Sequence, residues 1–155
     1  RSIIGEVLMN HDGAGRFKAF SAGSQPKGEV HPEALKLLSG LGFSTVGLRS
    51  KSWDEFTGPG APAFDFIFTV CDNAAGETCP VWVGHPMTAH WGIEDPAAAS
   101  VADQPEAFRQ AVRYLRRRIE LFLTLPLDSL DRMATERKLK EIGQSEGTTA
   151  LRQDA

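Results

Sequence analysis

The sequence predicts an α/β domain: a three-layer sandwich around a mainly parallel central sheet. Three observations point there. Helical and extended patterns alternate early in the chain. The stretch "FDFIFTV", Phe64 to Val70, is short, apolar and β-rich, the form of a strand buried in a parallel sheet. A long amphipathic helical pattern begins after Asp103. At 155 residues the chain is one domain by size and can bury a real core.

Taken in order, Ser2 to Asn10 reads as a helix with Ile3, Ile4, Val7 and Leu8 on one face, ended by "NHDGAG". "RFKAFSAG" reads as a strand stopped by Gly23. "HPEALKLLSG" is a helix with Pro32 near its start and Gly40 past its end. A polar segment around "SKSWDEF" and the loop "TGPGAPA" lead into "FDFIFTV", and "MTAHW" reads as a further strand. Asp103 is placed to cap the long helix, with Glu106 three residues on, and Phe108, Val112, Leu115, Ile119 and Phe122 form its apolar face. Pro126 stops it. Asp128 is placed to cap a last helix through Ile142. Residues 1–145 are read as the domain and 146–155, the end of "GQSEGTTALRQDA", as a disordered tail.

Composition narrows the function classes. With 41% hydrophobic and 24% charged residues and a net charge of −3, the chain offers no basic face for nucleic acid or an anionic membrane. The run Arg116, Arg117, Arg118 reads as a solvated helix face. No apolar run approaches the roughly 20 residues of a membrane span, and two cysteines do not make a secreted disulfide scaffold. The expectation is a cytoplasmic protein with no membrane and no nucleic-acid partner.

Candidate chemistry gathers after "FDFIFTV". Parallel sheets put ligand sites beyond the carboxyl ends of their strands, and Cys71 falls at that edge. Cys79 follows across "DNAAGET", a loop of small residues that can close to disulfide distance. Spacing alone leaves three readings open: a redox pair, two unrelated thiols, or a metal site completed by His85 and His90. The metal spacing is looser than structural zinc uses. Glu94 and Asp95 in "WGIEDPA" follow a strand end, where an acid can donate a proton or cap the next turn. Arg1 and Ser2 open a helix, an arrangement that can hold an anion through backbone N–H groups and a guanidinium.

In order, "RSIIGE", "FSAGS", "HPEAL", "LRSKSWDEF", "FTVCDNAAGETCPVW", "AHWGIEDPA" and the long C-terminal helix resemble the thioredoxin-coupled arsenate reductases, which share the low-molecular-weight protein tyrosine phosphatase fold. The resemblance runs to about Ser145. It implies that Arg1-Ser2 ends a phosphate-binding loop of form C-x5-R-S, so the nucleophilic cysteine belongs six positions before Arg1. The sequence as given is therefore expected to lack that cysteine and the first strand. It also implies roles: Arg1 and Ser2 bind the oxyanion, Asp95 protonates the leaving oxygen, Cys71 resolves the arsenylated cysteine, and Cys79 draws the disulfide outward to a reductant. Arsenate is the implied substrate, and thioredoxin, or glutaredoxin with glutathione, the implied reductant. No tightly bound cofactor is implied. Some family members hold a monovalent cation such as potassium, and Glu6, Ser21 and Asp54 align with positions used there; ordinary hydrogen bonding is the other reading of these three. The alternatives to reduction are a tyrosine phosphatase of the same fold, although Ala97 stands where those enzymes usually carry Tyr, and a catalytically dead truncated chain or metal-binding module.

Overall fold

The computed structural model describes residues 1–72 and 82–149. Helix α1 spans Ser2–Asp12, α2 Pro32–Gly40, α3 Gln104–Leu123 and α4 Arg132–Gly143; strands β1, Phe66–Thr69, and β2, Met87–His90, lie between α2 and α3. The two strands pair in parallel, with Phe66 opposite Met87 and Thr69 opposite His90. The ladder continues past β2: Trp91 N–H donates to the Thr69 carbonyl at 2.7 Å and Ile93 N–H to that of Val70 at 3.3 Å. The strand ends, and so Cys71, lie at one edge of the domain. Among the described residues no helix is long and apolar enough to cross a membrane.

Periodicity explains the core. Helix α3 buries Phe108, Ala111, Val112, Leu115, Ile119 and Phe122, the face that the 3.6-residue period selects. It packs against α1, through Ile4 and Leu8, and against α2, through Leu38. Phe122 meets Phe17, Phe66, Phe68 and Trp91 edge-on or tilted, and Phe68 stacks on Trp91 with ring centroids 3.8 Å apart. Helix α4 lies on β2, fixed by Trp91 Nε1–H donating to the buried Leu139 carbonyl at 3.0 Å.

Five expectations need correction. Residues of "RFKAFSAG" form no strand; only an isolated bridge joins Gly23 to Ser52. Side chains of α1 take its backbone groups instead: Ala19 N–H donates to Asn10 Oδ1 and Asn10 Nδ2 donates to the Ala19 carbonyl, while Ser21 N–H donates to Glu6 Oε1. The last helix is capped by Asp131, which accepts from Ala134 N–H at 2.7 Å, because Asp128 sits in a short 3-10 turn after Pro126. Asp103 precedes α3 but makes no side-chain cap; its carboxylate accepts from Ser100 Oγ, and Glu106 pairs with Arg109.

The fourth and fifth concern the arginine run and the tail. Successive residues turn about 100° around a helix, so three arginines cannot share a face. Arg117 is exposed, Arg116 pairs with Asp12 of α1, and Arg118 is fully buried. Arg118 donates from Nη1 to the carbonyls of Tyr114 and Glu146 and from Nη2 to that of Ser145. That buried fork holds residues 144–147 against α3. Thr148 then bridges to Ile93, and Thr149 is buried. The segment read as a disordered tail is therefore part of the domain as far as Thr149.

Candidate functional site

The site stands at the carboxyl edge of the β1–β2 pair, facing the start of α1. Arg1 is the N-cap of α1. Its Nη1 donates to the Ile93 carbonyl at 2.9 Å, and its Nη2 lies 3.7 Å from Asp95 Oδ2. Asp95 is held by its own turn: Oδ1 accepts from Ala97 N–H at 3.0 Å, capping the 3-10 turn Pro96–Ala98. One oxygen of Asp95 is thus fixed and the other faces the guanidinium. Cys71 is half-buried and borders the same groove as Arg1, Ser2, Asp72 and Asp95. Four residues singled out in the sequence, Arg1, Ser2, Cys71 and Asp95, are brought together. Cys79 lies outside the described residues.

Asp72, next to Cys71, is the residue that sequence reasoning missed. Its Oδ1 accepts from His90 Nε2–H at 2.8 Å and from Thr149 Oγ1–H at 2.7 Å. The other ring nitrogen of His90 meets Thr69 Oγ1 at 2.6 Å. Because a carboxylate only accepts, Nε2 carries a proton, and Nδ1 pairs with the Thr69 hydroxyl. Burial works to raise the Asp72 carboxyl. The hydrogen bonds from Thr149 and His90, with the charges of His90 and Arg1, outweigh it and hold Asp72 below the usual carboxylate range. Gly92 permits this packing, since a Cβ there would run into His90, Thr149 and Asp72 together. With both its nitrogens engaged by Asp72 and Thr69, His90 has a structural role. His85 is exposed in a turn with φ of 50°.

The three residues aligned with a cation site have the following surroundings. Glu6 Oε1 accepts from Ser21 N–H at 3.0 Å, and the buried Ser21 hydroxyl has no partner among the described residues. Asp54 is exposed at the start of the 3-10 turn Trp53–Phe56, where Ser52 Oγ accepts from its N–H. The residue that does approach Glu6 is Lys51, whose Nζ lies 3.8 Å from Oε1 with only 8% of its side chain exposed.

A family model described as low molecular weight phosphotyrosine protein phosphatase matches residues 1–137. Among curated proteins, an arsenate reductase of Bacillus subtilis (strain 168) is 33% identical over 98 residues, 63% of this chain and 67% of the relative. An arsenate reductase of Halalkalibacterium halodurans is 30% identical over 108 residues, 68% of this chain and 74% of the relative. Among solved structures, an arsenate reductase in its reduced state aligns with a TM-score of 0.59 at 26% identity, covering 77% of this chain and 84% of the other. A thioredoxin-dependent arsenate reductase of Corynebacterium glutamicum aligns with a TM-score of 0.50 at 24% identity, covering 77% of this chain and 56% of the other, a likeness of fold alone.

Proposed function

This chain belongs to the low molecular weight phosphotyrosine protein phosphatase family, and from that premise we propose that it is an arsenate reductase, converting arsenate to arsenite through a cysteine relay. The observation that carries the reading is a half-buried thiol, Cys71, bordering the groove that holds the Arg1–Asp95 pair. A phosphatase of this fold needs the guanidinium, the acid and the one nucleophilic cysteine of its anion loop, but no thiol beyond that one. The relatives named arsenate reductases support the same choice.

The chemistry proceeds in balanced steps. A cysteine thiolate, in the loop that the family pattern puts just before Arg1, displaces one oxygen of arsenate. Asp95 supplies the proton with which that oxygen leaves as water. Arg1 and the N–H groups opening α1 hold the remaining oxygens and the charge that builds on them. The Cys71 thiolate then attacks the arsenylated sulfur. A disulfide forms, the sulfur–arsenic bond breaks, and its electron pair leaves with arsenic, which falls from the +5 to the +3 state and departs as arsenite. Attack by Cys79 on Cys71 frees the first cysteine and leaves a Cys71–Cys79 disulfide. A protein dithiol of the thioredoxin type reduces that disulfide by exchange. Such a relay works in a compartment that keeps thiols reduced, so the cytoplasm is its place.

The test treats the full-length protein with arsenate and no reductant, then measures released arsenite and maps disulfides by mass. One arsenite per chain with a Cys71–Cys79 bridge is expected. Arsenite release undiminished in Cys71→Ser overturns the relay. Efficient hydrolysis of an aryl phosphate, unchanged when both cysteines are replaced, turns the reading to a phosphatase.

A further inference from the structure

We propose that the ammonium of Lys51 is this protein's built-in monovalent cation and that the Glu6–Ser21 cluster takes no potassium ion. The consequence for catalysis, reduction indifferent to potassium, rests on the arsenate reductase reading; the binding claim rests on geometry alone.

Lys51 is held in place by its backbone. Its carbonyl accepts from Gly23 N–H at 2.9 Å, and Gly23 bridges to Ser52. The side chain therefore starts beside the turn that carries Ser21. Its Nζ donates to the Arg49 carbonyl at 3.2 Å and lies 3.8 Å from Glu6 Oε1. Both side chains are largely sheltered, 8% exposed for Lys51 and 14% for Glu6. A sheltered ammonium needs an opposite charge, and Glu6 supplies one.

The oxygens around Nζ and Ser21 are of the hard kind that an alkali ion uses: a carboxylate, a carbonyl and a hydroxyl. An ammonium group is close to potassium in size and charge, and it brings protons to donate to these oxygens. With Lys51 in place the single negative charge of Glu6 is matched. A potassium ion on the same carboxylate would meet a fixed like charge across a few ångströms, in a sheltered setting where repulsion is weakly screened. The buried Ser21 hydroxyl, without a partner among the described residues, still asks for a hydrogen bond. A water meets that demand without adding charge.

The test is thermal unfolding of the full-length protein in potassium chloride and in choline chloride at equal ionic strength, choline being too large to enter. Wild type is expected to melt at the same temperature in both. Lys51→Ala leaves Glu6 unmatched and opens space beside it. That variant is expected to gain stability from potassium alone, saturably, on the order of 5 °C at a hundredfold excess over Kd. A saturable, potassium-specific rise in wild type overturns the proposal, as does a Lys51→Ala variant indifferent to potassium. If Lys51→Ala does not fold, Lys51→Gln takes its place, and the wild-type comparison decides by itself. Because the readout is melting, failure of the arsenate reductase reading would show in the arsenite assay and leave these results unchanged.

Discussion

Thr149 Oγ1 donates a 2.7 Å hydrogen bond to Oδ1 of Asp72, the same oxygen that takes the Nε2–H of His90, so the residue following Cys71 is tied at once to the sheet and to the C-terminal segment. Thr149→Val keeps the shape of the side chain and deletes the donor. Asp72 is 41% exposed, so water recovers part of the loss. The expected cost is about 1 kcal/mol, less than a fully buried bond to a charge would give. Urea unfolding checks it, and hydrogen exchange should rise across residues 145–149. Unchanged exchange there would mean that Asp72 does not anchor the segment.

A second tie joins α1 to α3. Arg116 grips Asp12 with two bonds, Nε to Oδ2 at 3.1 Å and Nη2 to Oδ1 at 2.9 Å. Burial works to raise the Asp12 carboxyl, but hydrogen bonds from His11 and Arg116 and the charges of both hold it below the ordinary carboxylate value. A folded-state value below the unfolded one means that the stabilisation is present above the ordinary carboxylate range. It is lost as pH falls through the lowered folded value. Asp12→Asn is expected to cost about 1 kcal/mol at neutral pH, with Arg116 38% exposed, and its difference from wild type should shrink toward zero in acid. Melts from neutral pH down to about 2 measure this. A difference constant with pH would refute the charge-based account.

Gly147 gives a sharper case. Its φ is +87°, and a Cβ there would run into the ring of Tyr114. Gly147→Ala therefore meets backbone strain and a clash together, and we expect a loss of about 2–4 kcal/mol, or release of the segment after Ser145. Circular dichroism melts give the first outcome and limited proteolysis the second. A variant as stable and as protease-resistant as wild type would contradict the placement of this glycine.

These ties also mark where the sequence stopped being legible. The helices could be read because burial repeats with a period, as from Phe108 to Phe122 on α3, and β1 because "FDFIFTV" is short, apolar and β-rich. Cys71, Asp95 and Arg1 could be read because strand ends and helix starts put chemistry at predictable places. Arg118 could not, because a run of three arginines gives no sign that one points inward to a set of carbonyls. Nor could residues 146–149, which dock through Arg118, Gly147 and Thr149 with no large apolar residue, so that composition read them as tail. Lys51 was hidden in a polar segment, since a sheltered lysine and a solvated one are the same letter. "RFKAFSAG" misled in the other direction: its β-rich pattern is real, but Asn10 and Glu6 of α1 use the backbone groups that a strand neighbour would take.

On the proposed reading, anion binding by Arg1 depends on a fork rather than on charge alone. Nη1 is spent on the Ile93 carbonyl, and Nη2 stands 3.7 Å from Asp95, so the guanidinium plane is set by two contacts to the segment that follows β2. Arg1→Lys keeps the charge but not the plane, and an ammonium cannot hold Ile93, face Asp95 and bind two oxygens of a tetrahedral anion together. In the full-length protein we expect kcat/KM for arsenate to fall by about 10²–10³-fold, the scale for losing an oriented donor to developing charge. The melting temperature should change by no more than about 3 °C, because one exchanged hydrogen bond near the surface costs about 1 kcal/mol in a domain of this size. Steady-state arsenite release beside a melt separates the two effects. A Lys variant that keeps full kcat/KM would show that charge, not the fork, is what the anion needs.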